Sequence, residues 1–225
     1  LHTERYKLYE KELEHVFEEK DLGVYVDSEL KFDEHISNKV NKANSMVGLI
    51  RRSFSFLDGE LFKKLYTSFV RPHLEYAQVI WQPHLVKYKK MIENVQIRAT
   101  KLVDGFNNLT YKDRLKKLNL PTLQYRRDRG DMIEIFKHIH TYDESIITSK
   151  FRRQARPSRK HDFQLIENVP TDGVRGKQHN AFYFRTNRQW NNLPNHVVNA
   201  ITINEFKNEL DKAWEDKTTT YEFEA

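Results

Sequence analysis

Arg126, Arg127 and Arg129 place three guanidinium groups within about one turn of a predicted helix. Guanidinium groups bind phosphate oxygens in bidentate fashion, so this spacing fits a grip on a nucleic-acid backbone. Asp128 and Asp131 stand close enough to neutralise part of the group, and an internal ion-pair network is the competing reading. Arg152, Arg153, Arg156, Arg159 and Lys160 form a second basic tract with no acid before Asp162. Each such charge can displace a counterion from nucleic acid, which makes affinity fall with salt. The same composition also suits a nuclear-import signal or a solvated loop.

Other chemistries find little support. Metal binding would need convergent His and acid residues, because cysteine is absent. His138 and His140 are two apart on a predicted helix and so diverge. No serine or threonine nucleophile has a base at a telling spacing, and 7 glycines supply no phosphate loop. Around Pro72, Arg71 or His73 could touch nucleic acid. The structural reading is preferred there, with Glu75 paired to an arginine and Tyr76 in the core. Trp81, Trp190 and Trp214 have apolar neighbours and read as core anchors.

Charge supports a polyanion partner. The chain of 225 residues carries a net +6. Between Lys112 and Lys160, 14 Lys and Arg face 6 Asp and Glu, a local excess of +8 on a nearly balanced background. Mean hydropathy is -0.80, and no apolar run approaches the roughly 20 residues of a membrane span, so no membrane partner is expected. The first residues contain no apolar signal-peptide core. Together with the missing cysteines, this fits the nucleus or cytoplasm.

The elements that must position these charges are mainly helical. Alternation over Leu22 to Asp27 predicts a strand, paired with His15 to Phe17. Two strands alone are marginal in water, so this hairpin reads as a remnant of a larger sheet, with a truncation ahead of Leu1 expected. Ile36, Val40, Ala43, Val47, Ile50 and Phe54 form one stripe of a helix from about Phe32 to Phe54. Asp58 is a candidate cap for a second helix, from about Glu60 towards Trp81, with Phe62, Leu65, Phe69, Tyr76 and Ile80 on its apolar face. Pro72 predicts a kink or split near Val70. A third helix spans about Lys87 to Asp104, and Thr110 with Asp113 opens a short one to Leu118. Pro121 suits the start of another, to about Tyr142. Strands are expected over Phe163 to Val169 and Ala181 to Arg185, then a short helix at Trp190 to Pro194. A final helix is capped by Thr202 and carries Phe206, Leu210 and Trp214, with frayed residues after it.

Several segments, in order, resemble one known family: DLGVYVDSELKFDEHI, VRPHLEYAQVIW, IENVQIRATKLV, NLPTLQYRRDRGDMI, and WNNLP followed by FKNELDKAW. They resemble the region following the polymerase active site in non-LTR (LINE-type, jockey-like) retrotransposon reverse transcriptases. The resemblance implies a palm-edge hairpin over residues 1–30, a helical thumb over 31–119, a connecting helix over 120–150, and a basic loop with a small α+β region over 151–225. It further implies that Lys39, Lys42, Arg51 and Arg52 on the first helix, and Lys63 and Lys64 on the second, contact a template–primer backbone. The paired aspartates that hold magnesium in the palm have no counterpart here, since no Asp-Asp pair occurs. The chain alone is therefore expected to bind RNA, DNA or hybrid without catalysis and to need no cofactor, magnesium belonging to the missing palm. That palm is itself an expected partner, and the parent protein would be an RNA-directed DNA polymerase. The competing reading is a protein-interaction module, such as a domesticated transposon remnant.

Overall fold

A computed structural model describes residues 6–9, 11–140, 163–166 and 182–223. The chain is mainly helical, with short hairpins at the N-terminal end. The first hairpin pairs β1 (Lys7–Leu8) with β2 (Lys11–Glu12). The second pairs β3 (Glu18–Asp21) with β4 (Val24–Asp27), in the register Glu18 to Asp27. The expected strand at His15 to Phe17 thus lies three residues further on. Leu22 and Gly23 form a two-residue turn with φ of 45° and 82°, and that turn sets the register. Glycine suits the second of these left-handed positions.

The Asp27 carboxylate accepts the backbone N–H groups of Glu29, Lys31 and Phe32 at 2.9, 3.2 and 2.6 Å. These bonds pull its pKa below the usual carboxylate value against the desolvation that raises it. The turn so formed feeds α1 (Asp33–Ser53), whose Ile36, Val40, Ala43 and Ile50 are buried as the stripe requires. Phe54 falls just past the helix and is exposed.

Asp58 caps α2 (Gly59–Leu65) by accepting the Leu61 N–H at 2.8 Å. The expected kink is a π-helical turn over Tyr66–Val70, followed by α3 (Arg71–Glu75) and α4 (Gln78–Trp81). Pro72 has no N–H to donate to the preceding turn, and the wider turn accommodates its ring. The extra residue also changes which side chains face inward. Phe62, Tyr66, Val70 and Leu74 are buried, whereas Phe69, Tyr76 and Ile80, expected inside, are exposed. The sequence-based face is corrected here because the break takes the form of a π turn, whose extra residue shifts which side chains face inward.

The first core also takes in α5 (Val86–Ala99), a 3₁₀ turn at Thr100–Leu102, and α6 (Tyr111–Leu118). Thr110 caps α6 by accepting the Asp113 N–H at 3.2 Å. Inside, Tyr66 donates to Gln96 Oε1 at 2.7 Å, and the Gln96 amide donates to Tyr111 at 2.9 Å and the Pro121 carbonyl at 3.0 Å.

The long helix α7 (Leu123–His140) joins two cores. Leu123 belongs to the first, while Met132, Ile135, Phe136 and Ile139 belong to the second. The second core is completed by Leu165 and by α8 (Phe182–Asn191), α9 (Asn195–Val198) and α10 (Ile203–Ala213). Residues 182–185 of the second expected strand are instead the first turn of α8, and of the first expected strand residues 163–166 are described, with a single bridge residue at Leu165. Trp190 is buried and its indole donates to the Phe163 carbonyl at 2.9 Å, while Phe136 stacks on Phe206 at 4.3 Å. Residues 215–223 are docked, which corrects the fraying expected there. Thr122 donates through its N–H to the Thr220 carbonyl at 2.9 Å and through its hydroxyl to Thr219 at 2.6 Å.

Tyr66→Phe removes a buried donor and leaves Gln96 Oε1 short of its partner. Urea unfolding should register a loss of about 1–2 kcal/mol, and an unchanged midpoint would contradict this account of the first core.

Candidate nucleic-acid interface

Two hydrogen bonds fix the tip of the second hairpin against the helices. Tyr25 donates its N–H to His35 Nδ1 at 3.2 Å, and Tyr76 donates its hydroxyl to the Leu22 carbonyl at 2.8 Å. His35 is fully buried and packs on Trp81 with ring centroids 5.1 Å apart. Burial, then the charge of Lys39, lowers its pKa from 6.5 to about 4.

This closure brings Lys20 of β3 up to α1. The Lys39 ammonium lies 5.5 Å from the Tyr76 ring centroid, and Lys20 lies 5.1 Å from that of Tyr25. Lys39 is lowered from its ordinary pKa first by burial and then by repulsion from Lys20. His73 of α3 is lowered by burial and by Lys42 and Lys39. Four basic groups from three elements therefore share one face. No carboxylate pairs with any of them among the described residues. Polar side chains extend the face, and a shallow groove of about 320 Å³ is lined by Glu34, Ser37, Asn38, Asn41, Lys42 and Ser45.

The other basic residues singled out in the sequence fall into distinct places. Arg51 and Arg52 are exposed in the last turn of α1, about 15 Å beyond Lys42 at the helical rise. Arg52 lies on the same outward side as Asn38, Lys42 and Ser45, whereas Arg51 points to another side. Lys63 and Lys64 end α2.

Arg126, Arg127 and Arg129 do not converge on a surface. Arg126 forms a bidentate pair with Glu75, with Nη2 at 2.9 Å from Oε2, and Arg71 approaches the same carboxylate at 3.7 Å. Arg127 is 2% exposed. Arg129 forms a bidentate pair with Asp211 at 2.6 and 2.7 Å. Asp128 and Asp131, their expected neighbours, serve other cations. Asp128 takes Lys217 at 3.3 Å, and Asp131 takes Arg185 at 3.1 and 3.2 Å. Arg126 and Arg129 thus form the ion pairs of the competing reading, tying α7 to α3 and α10, while Arg127 is buried. Arg152, Arg153, Arg156, Arg159 and Lys160 lie outside the described residues.

A cleft of about 380 Å³ beside α7 is lined by Gln82, Pro83, His84, Lys89, Asp128, Asp131, Arg185 and Gln189. Arg185 also donates to the Val79 carbonyl at 2.9 Å. Burial pushes Asp131 up to about 6 despite Arg185. The Gln82 amide, turned with its nitrogen toward the carboxylate, donates at 2.8 Å. The cleft is thus closed on itself by opposite charges. Among the described residues no group of three or more His, Asp or Glu could hold a metal ion, and no helix is long and apolar enough to cross a membrane.

The chain is similar to an uncharacterized protein of Caenorhabditis elegans, 28% identical over 123 residues, which is 53% of this chain. The aligned part spans 60% of that relative's length. No family model and no solved structure matches the chain.

Sequence reasoning passed over Lys20, and it gave His73 to the structural role. Lys20 sits among Glu18, Glu19 and Asp21 and carries no local basic signal. Only the tertiary closure of the hairpin sets it beside Lys39.

Arg126→Gln should destabilise the fold by about 2 kcal/mol, because Glu75 loses its bidentate partner in a half-buried site and keeps only the longer contact to Arg71, and should leave nucleic-acid affinity unchanged. Chemical denaturation and binding isotherms on one preparation check both halves. His35 gives a pH prediction. Its folded pKa lies below the unfolded value, so its contribution to stability is present above pH 6.5 and is lost as pH falls towards 4, by at most about 3 kcal/mol. Asp131 works oppositely, losing its contribution as pH rises from about 4 to about 6, so the readout must resolve single sites. An NMR titration should show the His35 ring neutral until about pH 4; a midpoint near 6.5 would contradict its burial.

Proposed function

We propose that the chain is a nucleic-acid-binding module, not catalytic by itself, that holds a phosphate backbone through Lys20, Lys39, Lys42 and His73. The observation that carries this reading is the crowding of the three lysine charges, with the neutral His73 imidazole beside them as a hydrogen-bonding group. Their mutual repulsion costs folding free energy, and a polyanion would relieve it. Lysines whose charges repel across a surface gain most from phosphate, because binding replaces repulsion with attraction and releases counterions. Exposed asparagine and serine side chains beside them supply neutral contacts to phosphate and sugar. Arg52, on the same side of α1, would extend the contact along the helix.

The segments resembling LINE-type reverse transcriptases support the same reading from sequence. On that basis the chain corresponds to the thumb and C-terminal region of such a polymerase. The parent protein would be an RNA-directed DNA polymerase whose magnesium-binding palm is supplied by other residues. Duplex, hybrid or single strand would bind with weak sequence selectivity, since the proposed contacts are to backbone.

A second reading rests on the N-terminal segment, where Tyr9, Phe17 and Leu22 are more than three-quarters exposed. Such a surface suits a protein partner. Light scattering that finds stable self-association in a chain indifferent to nucleic acid would favour it.

The double substitution Lys39→Gln with Lys42→Gln tests the leading reading. Fluorescence anisotropy over a salt series should give at least about tenfold weaker binding to an RNA–DNA hybrid. The logarithmic salt slope should become shallower by roughly 1.5 to 2. The melting temperature should not fall, since neither side chain has an ion-pair partner to lose. Equal affinity and slope for both proteins would refute the proposed contact.

A further inference from the structure

We propose that Phe69, turned outward by the π-helical turn, is a base-stacking platform, so that the nucleic acid held at this interface is a strand with unpaired bases. The inference rests on the polyanion-binding reading and goes beyond it by naming what is bound. The π turn over Tyr66–Val70 keeps Phe62, Tyr66, Val70 and Leu74 buried at successive spacings of four. In an unbroken α-helix four residues overshoot a full turn, so a run of such spacings drifts round the axis. The wide turn absorbs the surplus residue, and the side chain displaced from the core is Phe69, 56% exposed. π turns of this kind occur often at functional sites.

What surrounds this phenyl ring suggests its ligand. His73 lies four residues further along the same helical run, where side chains are neighbours, and His73 faces Lys42 and Lys39. An exposed aromatic one helical turn from a basic patch is an arrangement by which proteins hold single strands: the charges follow the backbone, and the ring receives the face of a base. Tyr76 is less suited to that task. Its ring lies against Lys39 and Gly23, and its hydroxyl holds Leu22, so it positions the hairpin. Bases inside a duplex are already stacked on each other, so Phe69 would discriminate in favour of a strand whose bases are free.

The test uses the full chain and three probes: a single-stranded oligonucleotide, an abasic strand of equal length, and a blunt duplex. The intact strand should bind roughly tenfold tighter than the abasic one. Phe69→Ala should lower affinity for the intact strand to the abasic level without moving the abasic or duplex values. Phe69→Trp should retain the affinity, and its indole emission should quench on binding only the intact strand. Equal binding of intact and abasic strands, or an intact-strand affinity untouched in Phe69→Ala, overturns the platform and leaves the polyanion reading standing. Equal losses on all three probes assign Phe69 a structural role and also overturn it. Failure of all three probes to bind the unsubstituted chain overturns the underlying reading itself. If Phe69→Ala abolishes self-association in light scattering while strand affinity holds, the ring belongs to a protein interface and the proposal fails.

Discussion

The pairing of Arg126 with Glu75 determines much of what this surface can do. It ties α7 to α3, and it occupies a half-buried guanidinium group with a carboxylate. Arg129 with Asp211 and Asp131 with Arg185 act in the same way further along α7. These ties cross between elements far apart in sequence and steady a helix that belongs to two cores. Charge-assisted, bidentate contacts suit that work, because they fix orientation as well as distance. The consequence is a division of labour between cation types. Two arginines of the long helix tie elements together, while Lys20, Lys39 and Lys42 have no carboxylate partner among the described residues.

The second constraint is the break around Pro72. A helix lacking one N–H, with a ring pressed against its preceding turn, has to widen or split, and here it does both. The widened turn decides which aromatic faces the core. Tyr66 goes inside and finds Gln96 as its partner, and Phe69 goes outside. One proline thus links the interior hydrogen-bond network to the exposed chemistry on the other side of the helix.

Local signals were legible in the sequence wherever one segment supplied the whole cause. The stripe of α1, the caps at Asp58 and Thr110, and the start of the last helix at Thr202 all follow from residues a few positions apart. What could not be read depended on distant partners. The arginines of α7 lie next to Asp128 and Asp131 in sequence, yet Arg126 and Arg129 pair with Glu75 and Asp211, brought in by the fold. The strand expected at 181–185 has aromatic residues that suit a strand, but they serve a helix whose buried side carries Thr186 and Trp190. Lys20 is flanked by acids along the chain, and only the closed hairpin sets it beside Lys39.

The claim that lysines of the hairpin and first helix carry the interaction, while the arginines of the long helix do not, can be tested residue by residue. Lysine-selective acetylation with and without bound nucleic acid, read by mass spectrometry, is the most direct measurement. The account predicts strong protection at Lys20, Lys39 and Lys42, and little change at Lys112 and Lys212, which are paired elsewhere. Protection confined to other lysines, with these three as reactive as before, would contradict it.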